Sequence, residues 1–298
     1  MTGVDGTTYY GCVQGEDVLG HVTPWIASNA TVNVDTSFPT VVAVTSGSAN
    51  GLYDTGAVIS ILVQFSEAVN VTGGSSIRLG LETGATDFSA PYVSGSGSNT
   101  LTFNYTVQAG NLTSDLNYLS TTALALNGGT ISDLNGNTAD INLPLLAGPN
   151  SLGSRQDIAV DTINPTPPSA VAFSAPFSKT LSFSATWLTS TDDNFASHNV
   201  KLCSANDCVT TCLSPITTAG TTTSLTGANG STYFACVQGE DQLGHTSAWI
   251  PSGSSIAVDT SAPTVTSVTA TDADAVYKLG DVITLNVVYS EIVNVTSG

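Results

Sequence analysis

The sequence has few basic residues and few charged residues of any kind. Charged side chains make up 9% of its 298 residues, and 5 Lys and Arg stand against 23 Asp and Glu, for a net charge of −18. Because contacts with nucleic-acid phosphates need lysine and arginine, this composition excludes nucleic-acid binding as a default. It fits a hydrated, self-repelling surface, or carboxylates that are neutralised by calcium.

The sequence also lacks sustained helical periodicity and any apolar run long enough to span a membrane. It has instead short runs rich in Val, Ile, Thr and aromatic residues, in which apolar and polar residues alternate, as at 58–65, 77–81, 101–107 and 181–187. Clusters of Gly, Asn, Asp and Pro separate these runs. This spacing is typical of antiparallel sandwiches and predicts an all-β fold.

Residues 3–74 recur without a gap at residues 227–298. The two copies share 38 identities over 72 aligned positions, at an offset of 224 residues. Such a repeat predicts a little more than one period of a tandem array, in a chain that starts and stops inside domains. Architecture of this kind indicates spacing and surface display rather than a single catalytic pocket.

A shorter repeat, the hexapeptide Asp-Thr-x-x-Pro-Thr, occurs three times, at 35–40, 161–166 and 259–264. Proline fixes its own φ and biases the preceding residue toward extended backbone, so the hexapeptide predicts a short, stiff linker. The linkers divide the chain into four pieces, which are 1–35, 36–161, 162–259 and 260–298.

Residues 225–247 resemble the E–F corner, F strand and F–G loop of fibronectin type III-like domains. The resemblance implies that Tyr233 is the corner tyrosine and that Trp187 is the core tryptophan of strand B. It also implies that 162–259 is a complete fibronectin III-like module and that 1–35 is the C-terminal part of another.

Residues 36–161 are similar to the flagellar-system-associated (SWM) repeat of giant bacterial surface proteins. The matching motifs lie at 65–69, 92–97, 101–107, 123–131 and 151–153. The resemblance implies a complete Ig-like module at 36–161 and the N-terminal part of a second SWM-type module at 260–298. The chain would then be an extended array of Ig-like and fibronectin III-like antiparallel β-sandwiches in a secreted or cell-surface protein. It implies no activity, because such modules serve adhesion, motility and stalk roles alike.

Four of the five cysteines lie in the piece 162–259, and they are Cys203, Cys208, Cys212 and Cys236. The fifth, Cys12, is the repeat copy of Cys236, and we expect its partner to lie outside the chain. Four cysteines allow three pairings. On the fibronectin III-like template, strands C and F would carry Cys203 and Cys236 on one sheet face, which implies the disulfides Cys203–Cys236 and Cys208–Cys212. Zinc is the alternative, because Cys208 and Cys212 have a possible ligand spacing. Disulfides would indicate an oxidising, extracellular compartment.

No cofactor is required by these motifs, but acidic residues near the predicted module ends are candidate calcium ligands. They are Glu16, Asp17, Asp35, Asp161, Asp192, Asp193, Glu240, Asp241 and Asp259. The alternative is that they are turn residues whose carboxylates cap local backbone amides. Residues 133–137 favour a hairpin turn over a calcium loop. Glu67 and its copy Glu291 are interpreted as buried hydrogen-bonding residues at a strand end.

No catalytic residue is predicted, because no nucleophile-elbow motif accompanies His21, His198 or His245. We predict a non-enzymatic extracellular structural protein whose partners are copies of itself, in a cell-surface filament, stalk or sheath. The alternative is an adhesin whose modules bind a glycan or protein ligand. For that function Trp25 and Trp249 are the candidate exposed aromatics, although core packing explains them equally well.

Overall fold

A computed structural model describes residues 2–295, so residues 1 and 296–298, which end two of the predicted pieces, lie outside the described residues. The chain is nearly all β, which confirms the predicted fold class. It divides into two compact units, residues 1–163 and 164–298, and the division falls inside the second hexapeptide. The four pieces remain a prediction. Between residues 2 and 295, no helix has the length and apolarity needed to cross a membrane.

The first unit begins with an antiparallel ribbon. Strand β1 (Thr7–Val13) pairs with β2 (Ile26–Val34), so that Thr7 lies opposite Val34 and Val13 lies opposite Ile26. The ribbon lies within the first copy of the long repeat, which continues into the strands that follow.

The rest of the first unit consists of strands and two short helices. The strands are β3 (Val41–Ser46), β4 (Gly51–Tyr53), β5 (Val58–Thr72), β6 (Arg78–Glu82), β7 (Phe88–Ser94), β8 (Ser98–Thr106), β9 (Leu112–Thr113), β10 (Asn117–Tyr118), β11 (Leu124–Ala125), β12 (Thr130–Asp133) and β13 (Ile158–Asp161). The helices are a 3-10 turn (Gly74–Ser76) and α1 (Leu152–Arg155). One sheet has the order β10-β6-β7-β8-β5-β12, with β3 on β5 and β11 on β6, and the other has the order β4-β13-β9.

Alternate residues of a strand face opposite sides of its sheet, and the core of this unit follows that period. Ile59, Ile61, Val63 and Phe65 of β5 are all buried. The strand is longer than the predicted run 58–65. Its register shifts between Gln64 and Val69, and it pairs with β8 before the shift and with β12 after it. Glu67 therefore lies inside β5, half-buried, and not after a strand as the sequence suggested.

Glycine is required at the turn between β7 and β8. Gly95 has φ +112°, and a Cβ atom there would lie 2.1 Å from the carbonyl oxygen of Thr100. Only glycine adopts this backbone without steric cost. The turn predicted from the glycine- and serine-rich sequence after Ser94 is thus confirmed.

The second unit begins with a two-sheet sandwich. Its strands are β14 (Ser169–Phe173), β15 (Phe177–Ser178), β16 (Ser182–Leu188), β17 (Phe195–Cys203), β18 (Ile216–Thr218), β19 (Thr222–Thr226), β20 (Ser231–Asp241), β21 (Ile250–Pro251) and β22 (Ile256–Val258). One sheet has the order β14-β16-β19, and the other has the order β15-β22-β20-β17-β18, with β21 on β20. The unit ends in an antiparallel ribbon of β23 (Val265–Ala270) and β24 (Leu285–Tyr289).

Two residues predicted from the fibronectin III-like resemblance have their expected places. Trp187 is 4% exposed and lies in the core between the two sheets. The hydroxyl of Tyr233, near the start of β20, accepts the N–H of Ala228 at 3.1 Å, five residues upstream. This is the bond that defines a tyrosine corner. The repeat copy has the same bond, from the N–H of Val4 to the hydroxyl of Tyr9 at 2.8 Å.

Candidate functional site

The three hexapeptides share one local hydrogen bond. In each, Oδ1 of the aspartate accepts the N–H of the residue two positions ahead, which is Ser37 (3.1 Å), Ile163 (2.9 Å) or Ser261 (2.9 Å). An aspartate that bonds the backbone in this way closes an Asx turn. The proline of the hexapeptide fixes a second backbone angle. Both halves of each linker are therefore restricted.

The threonine that ends each hexapeptide is bonded to a residue 25 or 26 positions further along the chain. Thr40 donates its N–H to Oγ of Ser66 at 3.1 Å, and Ser66 returns its N–H to the Thr40 carbonyl at 2.9 Å. Thr264 and Ser290 repeat this exchange at 3.0 and 2.8 Å. Thr166 bonds Thr191 instead, through backbone and side chain. We call the Asx turn together with these threonine bonds the linker clasp.

A cluster of carboxylates lies at the first linker. Asp35 of the linker, Glu67 of β5 and Asp133 at the end of β12 place one carboxylate oxygen each within 4.8 Å of the others. Asn135 ties the cluster together, because its Nδ2 donates to Oδ2 of Asp35 at 2.7 Å and its N–H donates to Oδ1 of Asp133 at 2.8 Å. We call Asp35, Glu67 and Asp133 the junction cluster.

A fourth carboxylate, that of Asp5, lies beside the junction cluster. Asp5, Asp35 and Glu67 all line one open groove, which has a volume of about 610 Å³. Asp5 accepts the N–H of Thr36 at 2.6 Å and the hydroxyl of Ser37 at 3.1 Å. Its repeat copy is Asn229, which accepts the N–H of Thr260 and donates to the hydroxyl of Ser261. The two residues therefore bond the same two groups of their linkers, but the side-chain bond runs from Ser37 to Asp5 and from Asn229 to Ser261.

The charges of the junction cluster are unequally compensated. The pKa of Glu67 is raised, first by desolvation and then by the negative charges of Asp35, Asp133 and Asp5. Desolvation acts in the same direction on Asp133, but hydrogen bonds from the side chain and N–H of Asn137 and from the N–H groups of Asn135 and Gly136 together outweigh it and lower the pKa of Asp133. The bond from Thr36 lowers the pKa of Asp5. Glu67 is therefore the carboxylate whose ionised form a bound cation would stabilise most.

Carboxylate and amide oxygens are the ligands that calcium prefers, so the donor set of the junction cluster fits that ion. Of the three residues of the junction cluster, only Asp35 was predicted from the sequence to be a calcium ligand. Asp133 was assigned to a hairpin turn, which is confirmed by the bond from its N–H to the Asn137 carbonyl at 2.9 Å. The signal that could have found Glu67 is its recurrence as Glu291, at a constant distance from a linker aspartate.

Most of the other predicted calcium ligands have turn roles. Asp17 accepts the N–H groups of Leu19 and His21 and contacts Nδ1 of His21 at 2.8 Å, and Asp241 repeats these contacts with Leu243 and His245. Asp192 caps Asn194, and Glu240 accepts Nδ2 of Asn199 at 2.5 Å. Asp161 and Asp259 close the Asx turns of their linkers. Glu16 and Asp193 are exposed.

The four cysteines of the second unit form two disulfides, but the pairing expected from the fibronectin III-like template is wrong. The bonds are Cys203–Cys212 and Cys208–Cys236, not Cys203–Cys236 and Cys208–Cys212. The zinc alternative is wrong as well, because all four sulfurs are in disulfides. Cys12 is an exposed free cysteine.

The strand register explains the pairing. Cys236 lies opposite Lys201, and Cys203 lies opposite Phe234, so the two cysteines are diagonal neighbours on one face of the β17–β20 pair. The loop 204–212 returns across that face and supplies a partner for each. Asp207 holds the loop by accepting the N–H groups of Val209 and Thr210 and the Thr210 hydroxyl, which together lower its pKa to about 2.

The two tryptophans proposed as adhesive aromatics differ in environment. Trp249 packs against the disulfide cluster, and Nζ of Lys201 lies 4.1 Å from the centre of its ring. Its ring faces are thus used within the module. Trp25, its repeat copy, is 65% exposed.

His198 is fully buried and lies against the rings of Trp187 and Phe195. Its Nε2 accepts the N–H of Ser190 at 3.2 Å, so Nδ1 carries the proton and donates to the Gly220 carbonyl at 3.2 Å. Desolvation lowers its pKa. This burial of His198 was not predicted from the sequence.

No family model matches the chain, and no curated protein matches it. Among solved structures, it is similar to the FN1–FN3 domains of chicken CNTN1, with 9% identity, a TM-score of 0.33, and 85% of this chain and 75% of that chain covered. It is also similar to fibronectin(III)-like modules of Clostridium thermocellum CbhA, with 16% identity, a TM-score of 0.27, and 72% and 94% covered. Likenesses this distant carry no argument about family or function. The resemblance to the SWM repeat therefore remains a prediction.

Proposed function

We propose that this chain is a non-enzymatic structural repeat protein of the cell exterior, whose β-sandwich modules form part of a filament, stalk or sheath. The observation that carries the proposal is the linker clasp, which recurs at all three hexapeptides. A clasp made of linker and module atoms restricts the backbone of the linker itself. Restricted joints between independently folded units suit a protein whose task is spacing or mechanical support.

Two further observations support the location. The two disulfides of the second unit fit an oxidising, extracellular compartment. The net charge of −18, with few bases to offset it, keeps such a surface hydrated.

Electron microscopy of the purified chain, with calcium and again with chelator, tests the proposal. Ordered multi-chain filaments or bundles would support it. Isolated particles under both conditions would contradict self-assembly and favour the adhesin alternative, for which the exposed side chain of Trp25 is the remaining candidate contact. In that case substitution of Trp25 by alanine should abolish binding to a glycan or protein ligand found by screening.

A finer part of the proposal is a calcium ion at the junction cluster. Calcium takes roughly six to eight oxygen ligands, and Asp35, Glu67 and Asp133 offer carboxylates from three separate elements around one point. A cation there would offset the charge that raises the pKa of Glu67. It would also join the linker to β5 and β12, and so stiffen the first joint further.

Calorimetric titration of the whole chain with calcium tests this site. Glu67→Gln removes one carboxylate and should weaken binding at least tenfold. Asp17→Asn is the matched control, because Asp17 lies in a turn away from the junction cluster, and it should leave the affinity unchanged. Equal binding by the wild type and Glu67→Gln would place any calcium elsewhere.

A further inference from the structure

Strand β19 is an open edge of the sheet β14-β16-β19. The N–H of Gly227 bonds the Leu181 carbonyl, and the N–H of Trp187 bonds the Thr221 carbonyl. In an antiparallel pair these bonds alternate along the strand, so the odd-numbered residues of β19 are the ones bonded to β16. Thr222, Ser224 and Thr226 consequently direct their backbone N–H and C=O groups away from the sheet.

This edge lacks the features that usually prevent strands from pairing with other chains. The opposite edge, β14, follows two prolines and has a register shift next to Ala170, whose φ is +52°. The neighbouring edge of the second sheet, β18, is only three residues long and follows Pro215. By contrast, β19 offers five residues, Thr-Thr-Ser-Leu-Thr, with no charge, no proline and no bulge.

The outer face beside this edge also carries no charge. Exposed hydroxyl residues lie directly opposite one another on β16 and β19, in the pairs Ser182–Thr226, Ser184–Ser224 and Thr186–Thr222. Like charges repel two copies of a chain whose net charge is −18. A face of hydroxyl groups is therefore a place where two copies can approach at low electrostatic cost.

We propose that β19 pairs antiparallel with β19 of a second copy of the chain, with Ser224 on the two-fold axis. The sequence of the strand is self-complementary about that residue: Thr222 meets Thr226 of the second copy, and Thr223 meets its Leu225. All three outward N–H groups and carbonyls of each edge then find partners, and the two sheets become one. The proposal rests on the structural role proposed above and names the contact between copies.

Apolar side chains beside the edge would gain from the same contact. Leu213 and Ile216 are 48% and 42% exposed, and they line a groove of about 230 Å³ that runs along β19. The one charged side chain recorded in this groove, Lys201, is held over the ring of Trp249. A second copy on the edge would cover Leu213 and Ile216, which adds apolar burial to the backbone bonds.

Sedimentation of the 298-residue chain over a concentration range tests the contact with three variants. Ser224→Pro removes an outward N–H and keeps every backbone bond to β16, and Ser224→Lys places two like charges on the axis. Both variants also lose the bond between the Ser224 and Ser182 hydroxyls at 2.8 Å, which lies within one copy. Ser184→Lys adds the same charge to the same face, one strand away from the edge. Thermal melts check that each variant remains folded.

We expect the wild type and Ser184→Lys to dimerise, and both Ser224 variants to lose at least tenfold in association. Hydrogen exchange should agree: the amides of Thr222, Ser224 and Thr226 should gain protection as concentration rises, while those of Thr223 and Leu225 are protected throughout. If both Ser224 variants associate as strongly as the wild type, the edge contact is overturned and the proposed structural role is unaffected. If the wild type stays monomeric, the edge contact is overturned as well, and the proposed structural role is then limited to a stalk made of single chains.

Discussion

His198 is a buried residue of the second unit whose ionisation opposes folding. Its two ring nitrogens are committed, one as acceptor from Ser190 and one as donor to Gly220, so the folded module holds the neutral ring. A second ring proton would face the Ser190 N–H and lose that bond. The rings of Trp187 and Phe195 offer no counter-charge.

The second unit should therefore lose stability in acid. The unfolded chain binds a proton at His198 below its usual pKa of about 6.5, whereas burial lowers the pKa in the folded state. The free energy of unfolding should then fall as the pH drops below that value. The free energy of unfolding can be measured by urea titration, followed by tryptophan fluorescence, at pH values from 8 down to about 5. His198→Gln should flatten the dependence between pH 7 and about 5, and an unchanged slope would assign the effect to other groups.

The tyrosine corner gives a second prediction. Tyr233→Phe removes the acceptor for the Ala228 N–H and should lower the free energy of unfolding by about 1 kcal/mol. Phe234→Tyr is the control, because the repeat copy has tyrosine at the equivalent position, Tyr10. It should change stability by less than about 0.5 kcal/mol. Equal losses in denaturant titrations of the two variants would argue against a specific role for the hydroxyl.

Among the elements, the loop 204–212 bears the most constraint, since both disulfides end in it. Loop-closure entropy predicts that removing Cys208–Cys236, which spans 28 residues, costs more than removing Cys203–Cys212, which spans 9. The expected losses are about 3.6 and about 2.6 kcal/mol. Paired alanine substitutions and denaturant titration measure both. The reverse order would mean that packing around Trp249, not chain entropy, sets the contribution.

Strands were the most predictable elements, because alternation is a local property. The runs 101–107 and 181–187 lie almost wholly in β8 and β16. The extension of β5 to Thr72 was not predictable, since it depends on pairing with β12, far along the chain. The prediction of the disulfide pairing was wrong for a related reason. The loop 204–212 turns through positive φ at Cys208 and Thr211, and positive φ cannot be predicted from residues other than glycine.

The candidate site was predictable only in part. Asp35 could be found because its hexapeptide recurs, and local sequence alone suggested the hairpin at Asp133. Their meeting could not be foreseen, because it depends on the bond from Asn135 to Asp35, across about 100 residues of chain. Glu67 joins them through the register shift of β5, which no local pattern encodes.

On the scale of the whole molecule, the net charge opposes the proposed association between copies. A chain of net charge −18 repels its copies at low ionic strength, and salt of about 0.15 M shortens the screening length to about 8 Å. The association constant should therefore rise several-fold with added salt. Sedimentation equilibrium at low and physiological ionic strength measures it. A decrease would mean that ion pairs, rather than the uncharged edge, hold the copies together.

The linker clasp has a consequence for how such a protein changes over generations. Every bond of the clasp lies within the hexapeptide or reaches a residue 25 or 26 positions after its threonine. A module can consequently be inserted or deleted by recombination between the repeats, which share 38 of 72 aligned residues, without breaking a bond of the clasp. Length then becomes a heritable quantity that selection adjusts one module at a time, independently of the fold.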